Sequence, residues 1–365
     1  MKHSALVMVN SSYQLMCALE YLLEEGCHRQ ALFVSSEHVD SISYKQMLRL
    51  ASDFGIGHID NIEILQQGTL EQRIACYGEY YAKKLHGAEF EHVLLGDIRH
   101  QWMQDYACSV KADNVYMIDD GGAVFSVIKY ILAPQHYYLP YFANNSAPGF
   151  RQQLATTIKE GFGMYVRPKQ VALFTIFYQL HYAHIKRNNF DNILAFYNPQ
   201  RVFKTVNEAH IIGAPFVEHG FLNITEYIDY LKCLAQKLKM LPNVKLVYFM
   251  HRFEKKHDDK AKALQEFGFE LRFGDINYEL TLVQSGQKPL AVASLISTSL
   301  YNVKAIFGDS VDALFVPIQQ QHIDLFQQTN WMVDKYTLSQ HWQNIIEHFP
   351  QYGVQPVEQW STRHA

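Results

Sequence analysis

Short apolar runs that end in polar residues recur along the first half of the chain, with helical apolar spacing between them. These runs are ALVMVN (5–10), ALFVSS (31–36), NIEILQ (61–66), EHVLLGD (91–97) and NVYMIDDGG (114–122). Strands that alternate with helices predict an α/β domain built on a parallel sheet. Ligands bind such sheets at the carboxyl ends of the strands. The polar residues expected along that edge are Asn10, Ser11, Ser12, Asp97, Asp119 and Asp120.

A second alternation of the same kind begins near residue 206 and predicts a second α/β domain. The segment ITEYIDYLKCLAQKLKML (224–241) has strong amphipathic helical spacing, with Asn223 or Thr225 as its N-cap. Two further helices are expected in KHDDKAKALQEFG (256–268) and INYELTLVQSG (276–286). A strand followed by a loop is expected in HIIGAPFVEHG (210–220) and in PLAVASLISTS (289–299). Strands are expected in KLVYFMH (245–251), FELRFG (269–274), NVKAIFG (302–308) and ALFVPI (313–318).

The region between these halves, residues 136–205, permits two interpretations of KQVALFTIFYQLHYAHIKRNNF (169–190). It is either the last helix of the first domain followed by a linker, or an amphipathic segment lying on a membrane surface. The second interpretation rests on the basic residues at both ends of the segment.

Composition narrows the function classes. The chain has 365 residues, of which 48% are hydrophobic and 19% charged, so we expect a soluble globular protein of two domains. A net charge of −4 argues against general nucleic-acid binding. The five cysteines show no CxxC or Cys/His metal spacing, which predicts reduced thiols and a cytoplasmic location. We expect no signal peptide and no transmembrane helix. No GxGxxG or GxxxxGK[ST] loop is present, which weighs against a standard dinucleotide or P-loop site.

Three strand-end stretches carry candidate chemistry: Asp119–Gly122, His251 with Arg252, and Ser297–Ser299. A carboxylate can deprotonate an acceptor hydroxyl, and a histidine can hydrogen-bond or protonate a departing phosphate. Hydroxyl and backbone N–H groups can hold phosphate oxygens, and glycines permit a close approach. The set suggests sugar transfer from a nucleotide donor across an interdomain cleft. Taken singly, each stretch has a structural alternative as a turn, a structural histidine or a helix cap.

These stretches resemble the motifs of the bacterial sialyltransferases with two Rossmann-like domains, the GT-B type. That family has a D/E-D/E-G motif, an H-P motif and an S-S/T motif, matched here by Asp119-Asp120-Gly121, His251-Arg252 and Ser297-Thr298-Ser299. The turn INYELTLV with Glu279 and the opening Ser-Ser-x-Gln-Leu are also similar, so the sparse resemblance spans about residues 5–318. Arg252 stands where the family has proline, which suggests a donor such as a pseudaminic, legionaminic or Kdo-type sugar.

The resemblance implies a metal-independent, inverting transfer from a CMP-sugar, with no cofactor. Asp120 would be the general base, and His251 would contact the CMP phosphate as general acid or electrostatic stabiliser. Further nucleotide or phosphate contacts would come from Arg252, Glu279, Ser297, Thr298, Ser299 and Gly220. Expected on the acceptor or donor-sugar side are Asp119, Gly121, Gly122, Asn10, Ser12, Gln14 and Asp97.

The architecture implied is an acceptor-side domain (1–205), a nucleotide-donor domain (206–335) and a C-terminal segment (336–365) that packs back on the first domain. The acceptor would be an oligosaccharide or glycolipid of a bacterial surface glycan, with no nucleic-acid partner and peripheral membrane contact through residues 165–190 as a further hypothesis. The oligomeric state is left open. The alternatives are a UDP- or GDP-sugar transferase or epimerase on the same fold, and a non-catalytic GT-B-like protein of polysaccharide assembly.

Overall fold

The computed structural model describes residues 4–65, 67–133, 150–167, 169–254, 258–319, 321–322 and 338–361. The chain divides into two compact units, residues 1–193 and 194–365. The sequence prediction placed the boundary after residue 205. The strand β8 (Lys204–Thr205) pairs with β12 (Gln287–Lys288), and both belong to the second unit.

A parallel sheet forms the centre of the first unit. Its strands among the described residues are β1 (Ala5–Met8), β2 (Ala31–Ser35), β3 (Asp60–Asn61), β4 (Glu89–Leu95), β5 (Lys111–Ile118), β6 (Ala172–Thr175) and β7 (Ile185–Arg187). Their order is β3-β2-β1-β4-β5-β6-β7, and every pairing is parallel. All four residues of β1 are buried, which explains its continuous apolar sequence. This order reverses direction between β1 and β4, the place where doubly wound sheets bind ligands.

Helices connect these strands, and capping fixes where several of them begin. They are α1 (Ser12–Glu24), α2 (Ile42–Asp53), α3 (Leu70–Tyr80), α4 (Gln101–Ser109), α5 (Ala123–Val127) and α6 (Phe150–Gly161), while α7 (Asp191–Tyr197) follows β7 and spans the boundary between the two units. The Ser11 side chain accepts from the N–H of Gln14 and caps α1. Thr69 and Gln72 form a reciprocal capping box at α3.

The second unit repeats the design with another parallel sheet. Its strands among the described residues are β9 (Glu208–Ile212), β10 (Lys245–Met250), β11 (Phe269–Phe273), β13 (Ala291–Ser294), β14 (Asp312–Phe315) and β15 (Val354–Pro356). The order is β11-β10-β9-β13-β14-β15, and every pairing is parallel. Counted along this unit alone, that is again the Rossmann order 3-2-1-4-5-6. Its switch point lies between β9 and β13.

The helices of the second unit are α8 (Ile224–Leu238), α9 (Asp258–Glu266), α10 (Tyr278–Ser285), α11 (Ser299–Phe307) and α12 (Leu338–His348). Asn223, and not Thr225, is the N-cap of α8, where it forms a capping box with Glu226. None of the described helices is both long and apolar enough to cross a membrane.

Three predictions of secondary structure are wrong in whole or in part. Of the described residues in NIEILQ, where a strand was expected, only Asn61 belongs to β3. Residues 169–190 form β6, β7 and their connection, so neither helical interpretation of that segment holds. NVKAIFG belongs largely to α11, because its apolar residues continue the buried face that Leu300 begins. Residues 136–149 and the first two residues of KHDDKAKALQEFG lie outside the described residues.

The C-terminal segment contributes β15, which the sequence analysis did not predict. This strand pairs with β14, and Trp360 donates a hydrogen bond of 2.9 Å to Asp312. Part of the segment therefore belongs to the second sheet. Its packing against the first domain stays a prediction.

Candidate functional site

Asp120 lies just beyond the carboxyl end of β5, and side chains from the start of α1 and from the loop after β4 hold its carboxylate. Gln14 donates to Oδ1 at 2.8 Å, and the Arg99 guanidinium donates to Oδ2 at 2.7 Å. The Asp120 side chain is 23% exposed, compared with 6% for Asp97. Asp120 therefore combines a fixed orientation with access from solvent.

Gln14 owes its position to the start of α1. Its side-chain oxygen accepts from the N–H of Asn10 at 2.7 Å, which leaves its NH₂ group directed at Asp120. A Cβ at residue 96 would overlap the Gln14 carboxamide, so this approach requires the glycine that follows β4. The contact lies at the carboxyl ends of the neighbouring strands β1 and β4, which is the switch point of the first sheet.

Arg99 joins two strand-end acids. It donates to Asp97 through its backbone N–H at 2.9 Å and its Nε at 2.8 Å, and to Asp120 through its terminal nitrogen. His100 Nε2 lies 3.7 Å from the other Asp97 oxygen. Burial raises the pKa of Asp97, but the charge and hydrogen bonds of Arg99 outweigh it and lower that pKa below its usual value.

The pKa of Asp120 shifts in the opposite direction to that of Asp97. Burial is the largest influence and raises its pKa to about 6, helped by the negative charge of Asp97 and opposed by Arg99 and Gln14. A carboxylate with this pKa is ionised at neutral pH and is more basic than an ordinary aspartate. It is therefore suited to accept a proton from a hydroxyl group.

Asp119 faces the interior, although it directly precedes Asp120 in the chain. It is 1% exposed and accepts hydrogen bonds from the Thr175 hydroxyl, the Ile176 N–H at 2.9 Å and the Asn188 amide at 3.4 Å. Burial raises its pKa to about 7 despite these donors. The structure thus places Asp119 as a tie between the ends of β5 and β6.

The remaining residues predicted on this side fall into different environments. Gly121 has φ of 62°, a conformation that glycine adopts without strain, and Gly122 precedes α5. Ser12 is buried and donates to Gln46 at 3.2 Å, between α1 and α2. Asn10 accepts from the Ser36 N–H at 2.9 Å and so joins the ends of β1 and β2.

In the second unit, His251 follows β10 in a turn that Glu254 closes. Its Nδ1 accepts from the Phe253 N–H at 3.3 Å, so a neutral ring carries its proton on Nε2. Burial lowers the pKa of His251 to about 4, and the positive charge of Arg252 acts in the same direction. At neutral pH the ring is therefore an uncharged donor through Nε2. The Arg252 guanidinium lies 4.9 Å from the centre of the Phe253 ring.

Ser297 and Thr298 lie between β13 and α11, Ser299 is the first residue of α11, and all three are half-buried. Ser297 Oγ accepts from the Ser299 N–H at 3.2 Å, while Thr298 is the N-cap and makes no side-chain cap bond. The sheet order puts β9 alone between β10 and β13. At about 4.8 Å per strand, the ends that carry His251 and these hydroxyls are roughly 10 Å apart.

The two other predicted nucleotide contacts, Glu279 and Gly220, have different surroundings: the first is buried and the second is exposed. Glu279 is 3% exposed and accepts from the Asn302 amide at 2.7 Å, so it joins α10 to α11. Gly220 is exposed in the loop after β9, with φ of 71°. The sequence could not distinguish a buried glutamate that ties two helices from one that meets a ligand.

The sequence analysis missed Arg99, Glu254 and Lys260. Arg99 occurs in the run GDIRHQ directly after β4, so its place at a strand end was a usable signal. Glu254 and Lys260 occur in a charged run that reads as a solvated surface, and no sequence signal marks them as buried. No group of three or more His, Cys, Asp or Glu side chains in the described part of the chain is arranged to hold a metal. Metal independence stays a prediction.

Neither a protein-family model nor a curated protein matches the chain. Among solved structures it is similar to Acinetobacter baumannii MurG, with 11% identity, 99% of this chain and 87% of that chain covered, and a TM-score of 0.42. A 2,6-sialyltransferase from Photobacterium sp. JT-ISH-224, described in a complex with CMP and lactose, matches with 10% identity, coverage of 97% and 78%, and a TM-score of 0.46. UDP-GlcNAc 2-epimerase from Neisseria meningitidis matches with 12% identity, coverage of 96% and 91%, and a TM-score of 0.47.

The two parallel sheets, each in Rossmann order, confirm the predicted α/β fold with two Rossmann-like domains. The cleft predicted between the domains stays a prediction.

Proposed function

We propose that the chain is a glycosyltransferase that uses a sugar nucleotide as donor. The observation that carries the proposal is Asp120, a partly exposed carboxylate fixed by Gln14 and Arg99 at the ligand-binding edge of a Rossmann-like sheet. Its pKa of about 6 suits a general base that works at neutral pH. Asp120 would take the proton of an acceptor hydroxyl as that oxygen attacks the donor.

The second unit would bind the donor nucleotide. The hydroxyls of Ser297, Thr298 and Ser299, together with the first N–H groups of α11, offer donors to phosphate oxygens. His251 offers one more donor through Nε2. Because the pKa of His251 is about 4, we assign it hydrogen bonding to the phosphate in place of proton donation.

The reaction we propose is a single displacement. The acceptor oxygen forms a bond to the anomeric carbon while the bond from that carbon to the phosphate oxygen breaks. The phosphate keeps the electron pair and leaves with the nucleotide, and Asp120 retains the acceptor's proton. One displacement of this kind inverts the anomeric centre. Hydrogen bonds from the second unit would stabilise the charge that develops on the leaving phosphate.

The donor we propose is a CMP-activated sialic acid or related nonulosonic acid, on the strength of the motif resemblance. The guanidinium of Arg252, which replaces the motif proline, suits a phosphate or a sugar carboxylate. A UDP- or GDP-sugar enzyme of the same fold is the second candidate. Peripheral membrane contact keeps no support from residues 169–190, because they are not an amphipathic helix.

Thermal-shift binding tests the proposal, with CMP, UDP, GDP and ADP offered to the wild type and to His251→Ala. A ligand at about 100 times its Kd adds roughly 2.7 kcal/mol to the free energy of unfolding. We expect a Tm rise with CMP that His251→Ala reduces. His58→Ala, which removes a side chain that is 78% exposed in the first unit, is the matched control and should respond like the wild type.

A Tm rise with UDP or GDP in place of CMP would support the transferase or epimerase alternative. If no nucleotide changes the Tm, the enzyme proposal fails and the non-catalytic alternative is favoured. If CMP raises the Tm, turnover of a CMP-sugar panel separates binding from catalysis.

A further inference from the structure

A buried polar network lies beneath the turn that carries His251. We call it the Glu254 network and define it as Glu254, Lys260, Tyr248 and Tyr227. The Glu254 side chain is 0% exposed and that of Lys260 is 2% exposed. Lys260 is ion-paired with Glu254, lies 3.4 Å from Glu218 and sits 4.6 Å from the centre of the Tyr227 ring. The pair is therefore almost wholly withdrawn from water.

The Glu254 network ends on backbone N–H groups at two neighbouring strand ends. Glu254 Oε2 accepts from the His251 N–H at 2.6 Å, just after β10. Tyr227 accepts from the Ala214 N–H at 3.0 Å, just after β9. Between these ends, the Tyr227 and Tyr248 hydroxyls are 2.7 Å apart, and Tyr248 donates to Glu254 Oε1 at 2.7 Å. One chain of hydrogen bonds thus joins both loops.

The surrounding backbone is fitted to this network. The Glu254 N–H donates to the His251 carbonyl at 2.9 Å, so Glu254 closes the turn with both its side chain and its backbone. A Cβ at Gly213 would overlap Glu254 Oε2 and the Tyr248 hydroxyl. Any shift of the Glu254 carboxylate would therefore move the His251 turn or strike the loop after β9.

Stability alone does not account for a buried ion pair at this place. Removing two charges from water is costly, and apolar residues of similar volume often stabilise a fold as well or better. A charged carboxylate does supply strong acceptors that fix donors in one geometry. Here those donors include the backbone of the residue proposed to meet the donor phosphate.

We propose that Glu254 and Lys260 are positioning residues, which hold the His251 turn and the Ala214 loop in the geometry that receives the donor phosphate. The role in receiving the donor phosphate rests on the proposed function. The fixed geometry of the His251 turn does not, because it follows from the hydrogen bonds of this unit. Lys260 also places a positive charge near the His251 ring, which favours the neutral imidazole that donates through Nε2.

The test compares Lys260→Met with the double variant Glu254→Gln/Lys260→Met, which removes both charges and keeps side chains of similar size. Lys262→Met, an exposed lysine on the same helix, is the matched control. Three quantities are measured: the His251 ring titration by NMR, hydrogen exchange at the His251 amide, and the Kd for CMP. Circular dichroism first establishes that each variant is folded.

In Lys260→Met we expect the His251 pKa to rise toward its usual value, its amide to exchange faster, and the Kd for CMP to rise about 10-fold, which corresponds to about 1.4 kcal/mol. The double variant should recover part of the amide protection, because it does not leave the Glu254 carboxylate buried without its lysine, and a glutamine oxygen can still accept from the His251 N–H. Lys262→Met should behave like the wild type.

A folded Lys260→Met with unchanged His251 titration and unchanged amide exchange would overturn the proposal, whatever its affinity for CMP. If Lys260→Met does not fold, the double variant decides through the same titration and exchange. If the wild type binds no nucleotide while the titration and exchange change as expected, the proposed function fails and the positioning of the turn stands.

Discussion

Two consecutive aspartates of this chain have opposite surroundings. Asp119 accepts three hydrogen bonds inside the protein, whereas Asp120 is 23% exposed and held by Gln14 and Arg99. Side chains of successive residues at a strand end point to opposite sides. The acid-acid-glycine run therefore delivers one structural and one reactive carboxylate, and the pair need not work together.

Rates at different pH values test Asp120 as a base. Because a base must be ionised, we expect kcat/KM for a CMP-sugar to be level above pH of about 6 and to fall tenfold per pH unit below it. Asp120→Asn should lose about 10²- to 10⁴-fold in kcat with little change in affinity for CMP. Asp113→Asn, at an exposed position of β5, is the control. Full activity of Asp120→Asn would exclude the assigned role.

Asp119 should affect stability instead. Its pKa is about 7 in the folded chain and near 3.8 when unfolded, so between these values the folded state holds a proton that the unfolded state has released. The free energy of unfolding should therefore decrease as pH rises from 4 to 7, by up to about 1.4 kcal/mol per unit from this group.

The variant Asp119→Asn tests that sign. Asparagine can still accept from the Ile176 N–H and donate to the Thr175 hydroxyl oxygen, and it does not titrate. The difference in free energy of unfolding between variant and wild type, measured by urea denaturation, should grow in the variant's favour from pH 4 to pH 7. A difference that stays constant across this range would show that Asp119 does not carry a raised pKa.

Among elements, amphipathic helices and most buried strands were predictable, but one apolar segment was not. The apolar face of α8 is evident from the sequence, whereas its N-cap was left open between Asn223 and Thr225. By contrast, VALFTIF is an apolar run interrupted only by Thr175, and such a run is compatible with a buried strand or a buried helix. It forms β6 because it pairs with β5 and β7, and β5 is remote in sequence.

The start of α11 was not predicted from the sequence, for a related reason. The interpretation of NVKAIFG as a strand began at Asn302 and omitted the first turn of the helix. With Leu300 included, the buried residues Leu300, Val303 and Phe307 recur at three and four positions, which is a helical period. The serine and threonine residues of the motif therefore introduce a helix, and its N-terminal N–H groups join the candidate phosphate site.

The cap of α8 offers a test at this scale. Asn223→Ala removes the side chain that accepts from the Glu226 N–H at 2.9 Å, so we expect a loss of about 1 kcal/mol in the free energy of unfolding. Thr225→Ala, two residues away in the first turn, should cost much less because Thr225 is not the cap. Chemical denaturation of both variants measures the effect. Equal losses would mean that the capping box does not stabilise the helix in solution.

For the whole molecule, strand alternation predicted both sheets and the edge where the motifs lie. It could not supply the partners that give those motifs their chemistry. The hydrogen bond from Gln14 to Asp120 spans 106 residues, and the contact exists because β1 and β5 both flank β4. The burial of Lys260 depends in the same way on the packing of α9, whose sequence reads as a solvated face.

Because the chain has two compact units, each with its own sheet, the residues that a bound nucleotide protects from hydrogen exchange should lie mainly in one unit. The candidate phosphate ligands His251, Ser297 and Ser299 all belong to residues 194–365. A bound ligand adds free energy to the elements that contact it and slows their local opening. We therefore expect saturating CMP to slow amide hydrogen exchange most after β10 and at the start of α11, with smaller changes in residues 1–193. Peptide-level exchange measured by mass spectrometry, with His251→Ala as the comparison, provides the test. Protection strongest around Asp120 would instead place the nucleotide on the first sheet and reverse the roles assigned to the two units.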